Sequence, residues 1–398
     1  MLKMKLKGKN KNKTKIIFIY GRNYKTFFPD TKGEQYYLAG HSGYIARKLV
    51  ENFPRYEIEN WRMDLFAKKV EKKNTQNVLC KVYPSFKIPV FTELSLKFLI
   101  DLKIESIKNQ VIIHHSHIYV KRLFLLKILF PTIPFVASHF GGKPPIVKNK
   151  KDLKSKILIS MNKFAHKNIN NFFMASQSAI NDLRRISGVD KDKIQFPEIG
   201  TDVSMFTNIN KIAARNELNM PVDHKILLFI GRFNEEKGLD IILNILPKLV
   251  AKFNNKVTLV LIGGSEKDKL FDLVQRNKNI KYYFHTDYDR LPFFHNAADV
   301  FVKPSFNNIG ADSVGANVIE TLCCGTPVCS PNLSELPIKG NYGEIPKDED
   351  DFLFKVIKIL ENPEKYMNFN SSIRNLYSWE SYTKKIDNVY SRILNENS

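Results

Sequence analysis

The chain has 398 residues, more than the roughly 250 to 300 at which one hydrophobic core stops growing, so two domains of about 200 residues each are expected. A composition that is 43% hydrophobic and 12% aromatic excludes a wholly disordered or fibrous chain. Cys80, Cys323, Cys324 and Cys329, with no C-x-x-C pair among them, exclude a disulfide framework and a zinc ribbon, and a reducing compartment fits them best. The net charge of +22 lies in the first half: Lys and Arg outnumber Asp and Glu by 38 to 15 over residues 1–200, against 24 to 25 over residues 201–398. That half carries a positive potential suited to phosphates, anionic lipid surfaces or nucleic acid, unless its scattered lysines are simply solvated.

The basic stretch over residues 1–14 is expected to be a disordered tail. It lacks the apolar run of a secretory leader, which predicts a chain that is not secreted. The longest uncharged, mainly apolar stretch, Ile128 to Gly142, is about 15 residues and contains Pro131 and Pro134, too short to cross a bilayer. Lys15 to Tyr20 (KIIFIY) predicts a strand buried on both faces. A loop holding Gly40, His41, Ser42 and Gly43 follows, then a helix with Tyr44, Ile45, Leu49 and Val50 at helical spacing. Val111 to Ile113 and Pro134 to Ala137 read as strands that end in histidines, and Asn171 to Ala175 as another.

Residues 206 to 224 have no clear period and contain Pro221, which predicts the interdomain connection there. A second alternation starts with the strand Lys225 to Ile230 (KILLFI). A helix from Gly238 to Phe253 follows, which Pro247 should kink or break. Next come the strand Val257 to Ile262, a strand from Val300, and a helix from Gly315 to Cys324 stopped by Gly325 and Pro327. The fold class that follows is α/β, with two Rossmann-like doubly wound domains, and such sheets bind ligands at the carboxyl ends of their strands.

Two segments carry chemistry. In GRFNEEKG, Gly231 allows a close backbone approach, while Arg232 and Lys237 stand between a strand and a helix, where cations and a helix N-terminus suit a diphosphate. The plainer reading is a surface turn whose cations pair with Glu235 and Glu236. In PSFNNIGADSVGANVIETLCCGTP (Pro304 to Pro327), Asp312 and Glu320 bracket the helix start, and backbone amides around Ser313, Val314, Gly315 and Ala316 face the same place. Each carboxylate can accept from two hydroxyls, one set from a hexose and one from a ribose.

Together GRFNEEKG, the D-x7-E segment within Pro304 to Ser330, and FPEIGTDVSMF (Phe196 to Phe206) resemble the family 4 glycosyltransferases. The resemblance implies a GT-B fold, with two Rossmann-like domains across a cleft, and retaining transfer. Its domains would be an acceptor side over residues 15–206, a nucleotide-sugar side over residues 207–375, and a C-terminal helix over residues 376–398 packing back on the first. It implies that Arg232 and Lys237 hold the donor diphosphate, with Gly231 beside them, and that Glu320 binds the ribose. Asp312, where the family has Glu, would approach the sugar hydroxyls. Gly40 would face the diphosphate from the acceptor side, and His139 would lie near the transferred sugar. His41 and Ile199 stand where the family more often has Gly and Asn.

His114, His115 and His117 form no convincing metal site, because alternation along a strand sends the first two to opposite faces. No G-x-S-x-G elbow and no P-loop string is present. Ile118 to Phe130, with Lys121, Arg122 and Lys127, suggests an amphipathic helix; most such helices pack on their own sheet, and the alternative is contact with an anionic membrane surface.

The expectation is therefore a hexosyltransferase with a UDP- or GDP-sugar donor and a glycan or lipid-linked acceptor. It would need no metal or other cofactor and no nucleic acid, and would be cytoplasmic or peripheral at the inner membrane face. A nucleotide-sugar epimerase of the same fold and a non-catalytic sugar-nucleotide or membrane-binding protein are the alternatives.

Overall fold

The computed structural model describes residues 14–20, 33–38, 40–88, 92–119, 121–140, 153–196, 199–306, 314–338, 340–366 and 371–396. Apart from Thr14, which already belongs to the first strand, the expected basic tail lies outside them. The chain divides into two compact units. One is built from residues 1–174, 179–198 and 383–398, the other from residues 175–178 and 199–382.

In the first unit the strands are β1 (Thr14–Ile19), β2 (Tyr56–Asp64), β3 (Glu71–Thr75), β4 (Val78–Pro84), β5 (Phe86–Ile88), β6 (Thr92–Leu94), β7 (Val111–Ser116), β8 (Phe135–His139), β9 (Asn171–Met174) and β10 (Ile194–Gln195). Its helices are α1 (Gly33–Leu38), α2 (Gly40–Asn52), α3 (Leu96–Lys108), α4 (Lys121–Leu129), α5 (Leu153–Lys167) and α6 (Gln177–Ser187). The main sheet runs β10-β9-β8-β7-β1-β2-β4-β3, parallel except for the β3–β4 hairpin, while β5 and β6 pair separately. As the unbroken run IIFI requires, Ile16, Ile17, Phe18 and Ile19 are all buried.

One face of this sheet packs on the inner sides of α3, α4 and α5, with Ile17, Trp61, Phe98, Leu102, Leu126 and Ala165 in a single core. On the opposite face of β1 and β7, the His114 ring stacks on Phe18 at 4.6 Å and bonds Tyr390 at 2.6 Å. Asn52 likewise donates to Thr383 at 2.9 Å and Tyr56 to Asp387 at 2.7 Å. The segment 383–396 thus completes this unit.

The second unit has strands β11 (Lys225–Ile230), β12 (Val257–Ile262), β13 (Ile280–Tyr283), β14 (Val300–Val302), β15 (Val328–Cys329) and β16 (Gly343–Glu344). Its helices are α7 (Lys211–Glu217), α8 (Leu239–Lys252), α9 (Phe271–Gln275), α10 (Leu291–Ala297), α11 (Ala316–Cys323), α12 (Glu349–Glu361) and α13 (Ser371–Tyr377); α14 (Trp379–Glu396) runs from this unit into the first. The sheet order is β13-β12-β11-β14-β15-β16, all parallel. That is the doubly wound arrangement, and its strand order reverses between β11 and β14.

Several expectations need correction. Pro247 lies inside α8 without ending it, because Ile242, Ile245, Leu246 and Leu249 are fixed in the core on either side of the proline. Residues 206–224 are not a loose connection: α7 packs on α10, and buried Arg215 bonds the carbonyls of Ala297, Val222 and His224 and the Asp299 carboxylate. The second unit starts earlier, at Ile199, whose side chain joins Phe206 in its core. Gly40 to Gly43 is the first turn of α2 rather than a loop. His114, His115 and His139 lie within β7 and β8 rather than beyond their ends.

Candidate functional site

A sheet of this winding leaves a crevice at the carboxyl ends of the two strands flanking the reversal. There β11 runs out through Gly231 into Arg232, and β14 runs out through Lys303 to Ser305. A cavity of about 430 Å3 lies at this point, lined by Gly231, Arg232, Lys237, Lys303, Ser305, Gly315, Asn317 and the ends of β11.

Local chemistry explains the shape. Asn234 caps the turn at Glu235–Lys237 by accepting from the Lys237 amide at 3.1 Å, which fixes the stem of Lys237. Gly238 follows at φ 76°, and a Cβ there would lie 2.3 Å from the Pro304 carbonyl oxygen, so the β11 and β14 loops meet where only glycine fits. Gly315, at φ 91°, precedes α11, and Asn317 in that helix's first turn donates to the Ile230 carbonyl at 3.1 Å. Lys303 Nζ donates to the Val314 carbonyl at 3.0 Å, tying the β14 end to the same helix start.

The cavity is cationic. Three positive side chains line it, and among the described residues no carboxylate does. Two other cavities mix signs: Asp192 and Glu396 with Lys167 and Arg392 in one, Glu217 and Asp287 with Lys281 and Arg290 in the other. Arg232, 60% exposed at its side chain, pairs with Glu236 at 3.0 Å, a surface contact worth only about 0.3 to 0.5 kcal/mol. The Ser305 hydroxyl is buried with no hydrogen-bond partner among the described residues, as fits a wall that awaits a ligand oxygen.

The expected residues are partly gathered. Gly231, Arg232, Lys237 and Gly315 share the cavity wall, Val314 is buried behind it, and Ala316 opens α11. Glu320 lies one turn further along that helix. It does not line the cavity but is buried against Tyr288, whose hydroxyl donates to it at 3.2 Å. Burial pushes its carboxyl up to about 7. Asp312 and Ser313 lie outside the described residues, as does the side chain of His41. Gly40 opens α2, and His139 is buried at the end of β8 with its ring edge-on to Tyr119 at 5.3 Å; both belong to the first unit.

Lys303, Ser305 and Asn317 were not anticipated. Their signal is spatial: Lys303 directly follows the second strand of the reversal, a place defined by strand order rather than by any local string.

Of the histidines, His114 bonds Tyr390 and Ser138, while His115 bonds the His117 carbonyl at 3.0 Å and burial holds its imidazole down near 3. Among the described residues no group of three or more His, Cys, Asp or Glu is placed to hold a metal ion. The basic face expected on Ile118 to Phe130 is also corrected. Arg122 and Lys127 are buried, Arg122 donating to the Tyr20 carbonyl and Lys127 to those of Pro131 and Ile133, because they serve the core rather than a surface. Among the described residues no helix is long and apolar enough to cross a membrane.

A parallel doubly wound sheet with a cationic crevice at its reversal has the chemistry to receive a phosphorylated ligand. Residues 210–376, which lie in the second unit, match the family model Glycosyl transferases group 1. D-inositol 3-phosphate glycosyltransferase 2 of Catenulispora acidiphila is 26% identical over 235 residues, 54% of this chain and 54% of that protein. Phosphatidyl-myo-inositol mannosyltransferase of Mycobacterium tuberculosis is 28% identical over 232 residues, 54% of this chain and 59% of that protein. The chain thus spans just over half the length of these curated relatives. Sucrose-phosphate synthase from Thermosynechococcus elongatus superposes with a TM-score of 0.70 at 18% identity, covering 96% of this chain and 100% of that one. The resemblance to the family 4 glycosyltransferases holds, and the α/β fold with two Rossmann-like units is the one expected from it.

Proposed function

We propose that the protein transfers a hexose from a nucleoside diphosphate sugar, UDP- or GDP-linked, to a hydroxyl of a glycan or lipid-linked acceptor, with retention of configuration. The observation that carries this reading is the convergence of Arg232, Lys237 and Lys303 on one cavity at the strand reversal. Arg232 would grip phosphate oxygens as a bidentate fork, Lys237 and Lys303 would act as point charges, and the amides that open α11 would face the same oxygens. These groups stabilise the charge that grows on the departing diphosphate, the service a divalent cation gives elsewhere, so we expect transfer to persist in a chelator. Glu320 would accept from the ribose, Asp312 and Ser313 would approach the sugar, and Gly40 and His139 would serve from the first unit.

Relatives named for D-inositol 3-phosphate and phosphatidyl-myo-inositol support a polar or lipid-linked hydroxyl as acceptor, and their being transferases disfavours the epimerase and the inert binding module. Calorimetric titration with UDP and GDP tests the reading. A nucleoside diphosphate should bind the wild-type chain and bind Arg232→Ala about tenfold or more weakly. Equal affinities, or no binding of either nucleotide, refute the site.

A further inference from the structure

Three helices cover one face of the first unit's sheet, and their outer sides are unusually apolar. On α3, Leu96, Ile100, Ile104 and Ile107 recur at spacings of four, four and three, which puts them in one row. Ile100 is 53% exposed and Ile107 58%, although Phe98 and Leu102 of the same helix fill the core. On α5 the row is Leu153, Ile157 and Phe164, with Leu153 73% exposed and Ile157 51%. Ile128 and Leu129 are exposed on α4, which packs beside α5 through the Phe124–Phe164 ring contact at 5.5 Å. These nine residues are half of the eighteen large apolar side chains exposed among the described residues. A soluble face has no reason to collect them.

The charge around the rows identifies the occupant. The sequences of α4 and α5, KRLFLLKIL and LKSKILISMNKFAHK, contain no acidic residue, and Lys156, Lys163 and Lys167 are exposed along the α5 row. On α3 the two carboxylates are engaged: Asp101 pairs with Lys97 at 2.9 Å, and Glu105 pairs with Lys15 at 2.8 Å. A second copy of this chain would set one lysine-rich half against another. A nucleic acid would meet the lysines but leave the isoleucines and leucines in water. A bilayer with anionic headgroups satisfies both the charge and the apolar rows.

We propose that the outer face of α3, α4 and α5 is a membrane-docking surface that seats on anionic lipid. This is not the surface that the sequence suggested, since Arg122 and Lys127 of α4 are buried; the cations come from α5. The inference is independent of the donor reading, because docking needs no nucleotide.

Flotation of the full chain with phosphatidylcholine vesicles, with and without phosphatidylglycerol and in the absence of nucleotide, tests it. Binding to the phosphatidylglycerol vesicles is expected, falling about tenfold in Leu153→Glu/Ile157→Glu and also in Lys156→Glu/Lys163→Glu. Melting temperature reports whether each variant folds, and Ile100→Glu/Ile107→Glu on α3 substitutes for an α5 variant that does not. Absence of vesicle binding overturns the proposal. So does binding that survives the apolar variants, since charge elsewhere would then be the cause. A dimer in ultracentrifugation that the same variants abolish, with vesicles ignored, would assign the face to a second copy instead.

Discussion

The Tyr288 hydroxyl donates to Glu320 Oε1 at 3.2 Å, yet among the described residues no positive charge balances that carboxyl. His295 Nε2 lies 3.9 Å from Oε2, and burial holds its imidazole near 3, so it is neutral wherever Glu320 titrates. A buried carboxyl with a neutral neighbour keeps its proton, and the value of about 7 reflects this.

A pH signature follows. Glu320 titrates at 4.5 when solvated and near 7 in the folded chain, so the folded state binds the extra proton in between. Its contribution to stability is whole below 4.5 and is lost as pH climbs through about 7. Glu320→Gln keeps the neutral shape and removes that loss, by at most about 3 kcal/mol in favour of the variant on the alkaline side. Melting curves of both proteins across this range should diverge as pH rises. Parallel curves would show that Glu320 is not the group responsible. If it also holds the ribose, the variant binds a nucleoside diphosphate more weakly although it is more stable.

Arg232 must choose between partners. Its exposed contact with Glu236 is worth about 0.3 to 0.5 kcal/mol, whereas a charged hydrogen bond to phosphate contributes about 1.5 to 3 kcal/mol, so the phosphate wins. Glu236→Gln should therefore leave diphosphate affinity unchanged or raise it slightly, and Arg232→Lys should restore only part of what Arg232→Ala loses. Calorimetry on the three variants checks this order. A loss of affinity in Glu236→Gln would mean that the carboxylate holds Arg232 in its binding pose.

Gly238→Ala probes the seam between the two loops. A side chain at φ 76° is strained, and the added Cβ would press on the Pro304 carbonyl oxygen, backbone that cannot swing aside. A stability loss of about 1 to 3 kcal/mol is expected from the strained backbone alone. Weaker diphosphate binding should accompany it, because Lys303 and Ser305 flank that proline. A wild-type melting temperature with wild-type affinity would show that the seam yields freely.

Much of this was legible in the residues. KILLFI and VTLVLI are strands to the residue, since a central parallel strand covered on both faces must read as an unbroken apolar run. β2 escaped the same logic because its string YEIENWRMD is full of polar groups, yet Glu59, Asn60, Arg62 and Asp64 are all buried. Lys15 and Lys81 reach Glu59 at 2.8 and 2.7 Å, and the Tyr37 and Tyr36 carbonyls take Asn60 and Arg62, so remote partners make that burial tolerable. The site divides the same way. Arg232 and Lys237 share one strand-to-helix turn and were visible together, whereas Lys303 reaches them only through the strand order.

Helix α14 and its contacts with Asn52, Tyr56 and His114 have a consequence for how the protein is made. A ribosome releases residues 14–196 well before residues 383–396, and until those arrive His114 and Tyr56 lack the partner they have in Tyr390. The first unit therefore waits, partly wet, while the second, which needs nothing beyond residue 382, can close first. Maturation of the nascent chain should run opposite to the order of synthesis, and a chain cut within α14 should leave the earlier-made unit as the one that chaperones hold.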